Sequence, residues 1–497
     1  MSIARPQPIP FGRNLVQTAN AGINSIGRLP TPVTIYLVLV MTPAAFTAGS
    51  LYLTVLRIFL LVMVIPLLFR LVSGRYGRIL MTDILFVLHM AWAAVALWVN
   101  NPDQVVTQMG SIGPEFLGGY LVGRAYIRNK ADFIALCRWL GLAVCVLFPF
   151  AIFETLTGVP PIVRAIEAIP AVRSVNDTGM MRMGLSRVQG VFSHPIHFGL
   201  FCSTAVSLTF VAMKGVLPTF QRLAISFVVA SCVFVSLSSG ALLAMIMHII
   251  LIGWAAIFLR TGKVWTLLLI TTVIAYVAVD LLSDRTPVRV FFSYATFSSH
   301  NAYWRGIIFD WGMRNVWANP VYGLGLNDWV RPFFMYSGSM DNFWLVMAVR
   351  YGIPGFLTIA VGYAIGMWRV GRRDFSADAA MILLRRAWMF TFLGLTFTLC
   401  TVHLWTALYS YVFFLFGAGM WFITATDSID KGEGPDSLQQ RNARRPGPQR
   451  RGEPSRMASA SIATDHDPKV EPPADSGSAP EESPYTRFAR HHQRQFP

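Results

Sequence analysis

Apolar runs long enough to cross a bilayer dominate the chain up to residue 426. A hydrocarbon core of about 30 Å needs roughly 20 apolar residues in helical form. Candidate spans on that basis fall near 33–49, 51–70, 79–99, 108–123, 135–157, 191–213, 222–238, 240–259, 264–282, 342–368, 387–403 and 405–424. The pattern therefore predicts an all-α integral membrane protein with about twelve transmembrane helices. The first span is short and follows 32 residues, too long a leader for an ordinary signal peptide, so an uncleaved anchor is expected. The fourth carries Glu115 and several glycines. After residue 426 the pattern ends, and a Pro-, Ser- and Glu-rich stretch poor in aliphatics predicts a disordered tail. Three regions result: an N-terminal segment 1–32, a polytopic domain 33–426 and a tail 427–497.

Charge gives this layout a direction. The chain of 497 residues carries 41 Lys+Arg against 25 Asp+Glu, a net +16, yet only 13% of its residues are charged and 54% are hydrophobic. A soluble domain is typically about 25% charged. So apolar a chain offers no basic surface for nucleic acid. Segments 1–32, 70–78, 124–138, 214–222, 260–263 and 369–386 hold 19 Lys+Arg and three acids, Asp132, Asp374 and Asp378, which accounts for the entire +16. The short segments on the other side, at 50, 100–107, 239 and 404, hold no Lys or Arg. By the positive-inside rule both termini are cytoplasmic. Two long loops, about 158–190 and 283–341, then lie outside, the second between spans nine and ten.

The remaining signals mostly exclude. The five cysteines, Cys137, Cys145, Cys202, Cys232 and Cys400, fall in or beside spans and read as buried thiols. No Walker loop or GxGxxG is present, so ATP-driven pumping is not expected. Asp465-His466-Asp467 imitates a metal-holding acidic motif but sits in the tail, with no fold to set ligand geometry.

The outside loops carry the candidate chemistry. Their nine basic residues, Arg164, Arg173, Arg182, Arg187, Arg285, Arg289, Arg305, Arg314 and Arg331, are all arginines. Guanidinium groups bind phosphate through paired hydrogen bonds and stay charged when partly buried, which suits a phosphate-bearing ligand; generic loop solubility is the plain alternative. Trp304, Ile307, Ile308, Trp311, Val316 and Trp317 recur near helical spacing, as in a helix lying on the membrane surface or packed against other loops. Asn319-Pro320-Val321-Tyr322-Gly323-Leu324-Gly325 ends that helix, its glycines allowing a tight turn or a close approach to ligand. Asp341-Asn342 stands where a helix N-cap would be. Arg350 would lie about 13 Å deeper, half a turn round from Asp341. A charge at that depth requires an ion pair or a substrate cavity, with Arg57, Asp83 and Glu115 as candidate partners. Gly352, Pro354 and Gly355 predict a kink or break just beyond it. His194 and His197, flanking Pro195, read as hydrogen-bonding residues rather than metal ligands.

In order along the chain, Arg187-x-x-Gly190-x-Phe192-x-His194-Pro195, Ser236-Leu237-Ser238-Ser239-Gly240, Trp304-Arg305, the Asn-Pro-x-x-Gly-x-Gly of 319–325, Trp329 and Asp341-Asn342-Phe343-Trp344-Leu345 running to Arg350-Tyr351-Gly352 resemble the O-antigen ligase and polymerase superfamily, in particular its exopolysaccharide-polymerase-like branch. The resemblance covers most of 33–424. It implies a GT-C-type glycosyltransferase of the bacterial inner membrane that uses polyprenyl-diphosphate-linked oligosaccharide at the periplasmic face, without metal or cofactor. Membrane lipid, and chain-length or export proteins, would be its partners. Where ligases carry His-Asn at the start of span ten, this chain has Asp341-Asn342, which favours a polymerase over a ligase. In that reading Arg305, with Arg187 or Arg182, neutralises the leaving diphosphate, and Asp341 or His194 accepts the acceptor's proton. Arg331, Asn342, Trp329, Gly323, Gly325 and Arg350 complete the expected substrate site. A reading of another class is a secondary transporter or flippase, with Arg57, Asp83, Glu115 and Arg350 lining a path.

Overall fold

The computed structural model describes residues 27–48, 51–258, 264–284, 286–294, 299–375 and 378–425. Arg285, most of the N-terminal segment, and the tail with Asp465-His466-Asp467 lie outside the described residues. All described residues fall within Met1–Gly432, the first of two units along the chain.

The unit is built of helices. In order they are α1 (Thr31–Val40), α2 (Val55–Val72), α3 (Met81–Asn100), α4 (Val105–Gly113), α5 (Gly119–Tyr126), α6 (Lys130–Thr157), α7 (Pro161–Glu167), α8 (Pro195–Phe210), α9 (Thr219–Val235), α10 (Ser239–Ile257), α11 (Val264–Leu282), α12 (Pro287–Tyr294), α13 (Ser299–Ala318), α14 (Phe343–Gly371), α15 (Ala379–Leu399) and α16 (Thr406–Gly417). Five short strands accompany them. β1 (Ala44–Ala48) pairs antiparallel with both β2 (Leu51–Thr54) and β3 (Arg173–Ser174), while β4 (Met181–Arg182) pairs with β5 (Leu185–Ser186).

Among the described residues, eight segments are long and apolar enough to cross a membrane: α2, α3, α6, α10, α11, α14, α15 and Thr406–Ile423, the last formed by α16 and a short 3-10 helix. The difference from about twelve has local causes. The first expected span stops after ten residues, because Thr42-Pro43 ends α1 and the chain turns into β1. Residues 105–126 are helical but interrupted by a π turn at Pro114–Gly118, where Pro114 contributes no backbone N–H. α8 and α9 are apolar but only 16 and 17 residues long.

Buried charges inside the bundle pair with one another. Arg57 meets Glu115 at 2.7 Å, and Arg124 meets Asp83 at 3.4 Å with Tyr120 also donating to Asp83. Arg57, Asp83 and Glu115 therefore do not serve Arg350 as partners. α3 lies along α14, α9 along α8, and α16 along α5; α13 packs on the N-terminal part of α14. α11 has no fully buried residue: Trp265 and Leu268 touch the core, Trp265 against Phe390 of α15, and most of its other apolar side chains face outward.

The break expected in α14 is present at Gly352, whose φ of 71° lies in the left-handed region. Pro354 has no N–H for the Arg350 carbonyl, and the turn at Gly352 removes Ile353 from its helical acceptor. The Asn-Pro-x-x-Gly-x-Gly loop replaces both. Leu324 N donates to Val349 O at 2.8 Å, Gly325 N to Arg350 O at 2.9 Å, and Ile353 N to Pro320 O at 2.7 Å. Any Cβ on Gly323 would strike the backbone at Val349–Gly352, and one on Gly352 would strike Val321. The end of α3 clamps the same loop. Asn101 accepts from Leu326 N at 2.8 Å, and Trp92 stacks on Tyr322 while donating to Tyr351 O at 2.9 Å.

Candidate functional site

Three loop segments converge where α8, α10, α13 and α14 begin or pass. The first, 176–194, is held from below by Glu154 of α6, which accepts the backbone N–H groups of Gln189 (2.7 Å) and Gly190 (3.0 Å). The Gln189 side chain in turn fixes Thr178 N and Asn176 O. On this base stand Arg182 and Arg187. Both guanidinium groups rest on the turn between α9 and α10: Arg182 donates to Leu237 O at 2.8 Å and Arg187 to Ser236 O at 3.3 Å. Leu237 has a φ of 46°, a left-handed conformation that β-carbon residues adopt at a cost, and one that turns two successive carbonyls to the arginines.

Arg305 arrives from α13. It is largely buried, and its Nη1 has no hydrogen-bond partner among the described residues. Burial holds its pKa below the ordinary arginine value and Arg182 adds to this, while Asp341 acts in the opposite direction. Arg187 is pushed down to about 10, by burial first and then by Arg182. Three guanidinium groups thus crowd together, which costs free energy unless an anion is shared among them.

Asp341 faces this cluster from just ahead of α14. The cap itself is Asn342, whose side-chain oxygen accepts from Leu345 N at 3.0 Å. Asp341 is left to receive Ser339 Oγ at 2.9 Å and to border the cavity. His194 caps α8, with Nδ1 accepting the N–H of Ile196 at 3.1 Å. It stands in the loop just before that helix, and burial, reinforced by Arg187, holds its pKa down to about 4. The neutral ring therefore carries its proton on Nε2 and offers the cavity a donor, so of the two expected proton acceptors the hydrogen bonding leaves Asp341.

These side chains enclose a cavity of about 440 Å³, with Trp304, Ile308, Ser238 and Trp405 completing its wall. A second cavity of about 480 Å³ adjoins it and shares Ser339, Asp341, His403 and Trp405. Its other walls include Trp329, Gly325 and Arg350. Asp341 and Arg350, expected on opposite faces of one helix, border this same space because Asp341 precedes the helix.

Other candidates are placed elsewhere. Arg331 lines neither cavity: it is held by Asp328 at 2.5 Å and by Met335 O at 3.0 Å. Gly323 packs on the α14 backbone, and the glycine requirement at Gly325 comes from Asn101, so their close approach is to protein rather than to ligand. Arg164 pairs with Glu167 and Asp177, Arg289 pairs with Asp310, and Arg314 lies over Trp311. Of the nine loop arginines, these are structural. His403 and Trp405 were not apparent from sequence, because they sit between two apolar runs where only residue 404 was expected to emerge. Trp405 lies 3.8 Å from the ring of His197 and 5.8 Å from that of His194. Glu154 was also missed; its signal is a lone acid near the end of an apolar helix.

Convergent cations opposite a carboxylate can hold an anionic group beside a proton acceptor. The family described as O-antigen ligase matches residues 223–360, a stretch containing Arg305, the loop 319–325, Asp341 and Arg350. Over these residues the chain is similar to that family, which agrees with the resemblance carried by its motifs, and its long apolar helices are those of a multi-pass membrane protein. No curated protein matches the chain.

Proposed function

We propose that the protein is a polysaccharide polymerase of the bacterial inner membrane, joining polyprenyl-diphosphate-linked oligosaccharides at the periplasmic face with both of its termini cytoplasmic. The observation that carries this reading is the convergence of Arg182, Arg187 and Arg305 opposite Asp341, at the junction of two cavities. An acceptor hydroxyl attacks the anomeric carbon of the donor. The bond from that carbon to the diphosphate oxygen breaks, and polyprenyl diphosphate leaves with the electron pair. Asp341 takes the hydroxyl proton. The arginines meet the charge that develops on the leaving group, in a site already organised for it, and so supply the positive charge themselves. His194 donates through Nε2 to a diphosphate or sugar oxygen.

Two adjoining cavities that share Asp341 suit a donor and an acceptor, as either enzyme requires. The preference for a polymerase over a ligase rests on Asp341-Asn342, which stands where ligases carry His-Asn. A transporter path is disfavoured by the pairing of Arg57 with Glu115 and of Asp83 with Arg124 inside the bundle. Purified protein supplied only with lipid-linked oligosaccharide tests the choice. A ladder of lengthened products supports the polymerase, whereas product that forms only after a lipid A core or protein acceptor is added supports the ligase.

A further inference from the structure

The second cavity contains a cation with no carboxylate partner. Arg350 sits at the break in α14, and among the described residues no Asp or Glu lies within ion-pair distance of it. The two acids that border the same cavity are engaged elsewhere. Asp328 is bound to Arg331 at 2.5 Å, and Asp341 accepts from Ser339 and acts on Arg305. His403, also in the wall, stands close enough to Arg350 to feel its charge and adds no negative charge of its own. The backbone at Arg350 is fixed, its carbonyl taken by Gly325 N and its turn wedged against Gly323, while the guanidinium has the hydroxyl of Tyr351 as a neutral hydrogen-bond partner. Trp329 and Trp405 supply flat aromatic walls, and the volume of about 480 Å³ lies within the roughly 300–1,000 Å³ typical of ligand sites.

We infer that this cavity is the acceptor-sugar subsite and that Arg350 selects an acceptor whose sugar carries a carboxylate, a uronate or a pyruvate ketal. The inference rests on the reading of the neighbouring cavity as a glycan-transfer centre. An arginine half-buried at a membrane helix is costly unless paired, and a planar carboxylate received by its two-pronged donor set supplies the pair when substrate enters. A neutral sugar leaves the cation unpaired, so discrimination follows from the cost of the wrong ligand as much as from the gain of the right one.

A binding measurement tests this without requiring turnover. Full-length protein in detergent is titrated with a glucuronate-containing tetrasaccharide, and with the same tetrasaccharide after reduction of its carboxylates to hydroxymethyl groups, following the fluorescence of the cavity tryptophans. The wild type should bind the acidic form at least about 10-fold more tightly, a difference of about 1.4 kcal/mol. Arg350→Gln should erase the difference, weakening the acidic form and not the reduced one, and Arg350→Lys should keep part of it. Equal binding of the two forms by the wild type, or a preference that survives Arg350→Gln, overturns the inference. Failure of the transfer reading registers separately, as the absence of any new glycosidic bond in the product ladder.

Discussion

The amide of Gly325 donates to the carbonyl of Arg350 over 2.9 Å, taking the place of the helical N–H that Pro354 lacks. A loop signature and a broken helix are therefore one structural unit, and the position of Arg350 depends on a segment 25 residues earlier in the chain. Gly352→Ala adds a side chain at positive φ where it meets the Val321 carbonyl. It should cost about 1–3 kcal/mol and lower the thermal midpoint in detergent by several degrees, with a parallel loss of product formation. Gly253→Ala, in an open position on α10, should show neither effect.

Asp341 and Asn342 separate chemistry from capping. Asp341→Asn should lower product formation by about 10²–10⁴-fold, the usual contribution of a general base, with the thermal midpoint unchanged. Asn342→Ala should cost about 1 kcal/mol of stability through loss of the cap on Leu345 N, and should retain most of the activity. Thermal unfolding and product yield measured on the same preparations distinguish the two.

Arg57 and Glu115 form a buried pair, with side chains 12% and 4% exposed. Arg57→Leu alone should destabilise the protein by about 3–5 kcal/mol, since it strands a buried carboxylate. Arg57→Leu combined with Glu115→Leu should recover most of the loss. Recovered stability together with recovered product formation would show the pair to be structural; recovered stability with activity still absent would place it in the functional path.

His194 sets a pH dependence of stability. Its folded pKa of about 4 lies below the ordinary histidine value near 6.5. Between these values the unfolded chain binds more protons than the folded one, so stability rises with pH across that window and falls as pH is lowered through it. The groups acting on the ring are Arg187, which lowers its pKa further, and Asp341, which opposes. The thermal midpoint should therefore fall from pH 6.5 towards pH 4, and His194→Asn, which keeps a capping side chain, should reduce the slope.

Much of the site was legible in the sequence because it rests on local rules. Proline and glycine at 352–355 announced the break, and Asp-Asn at 341–342 announced a cap next to a free carboxylate. The choice of Arg over Lys drew attention to loops of which three arginines, Arg182, Arg187 and Arg305, do line one cavity. What local rules omit is pairing across the fold. Loop composition alone does not separate Arg305, which reaches the cavity, from Arg331, which is held by its own loop, though the Trp304-Arg305 motif singles out the first, and it does not direct Arg57 to Glu115 rather than to Arg350. Helix count suffered for a related reason: hydropathy averages over Thr42-Pro43 and Pro114, where the chain departs from a continuous helix. His403 and Trp405 acquire meaning only because the segment between α15 and α16 is carried up against α8.

The central claim is that Arg305 and its neighbours assist departure of a lipid diphosphate during glycosidic bond formation. Its most direct test is the product ladder formed by purified protein from lipid-linked oligosaccharide, compared between the wild type and Arg305→Ala, each first shown to be monodisperse and folded in detergent. The account predicts a ladder from the wild type and none from Arg305→Ala. A full ladder from Arg305→Ala, or movement of substrate across vesicles by the wild type with no new glycosidic bond, would contradict it.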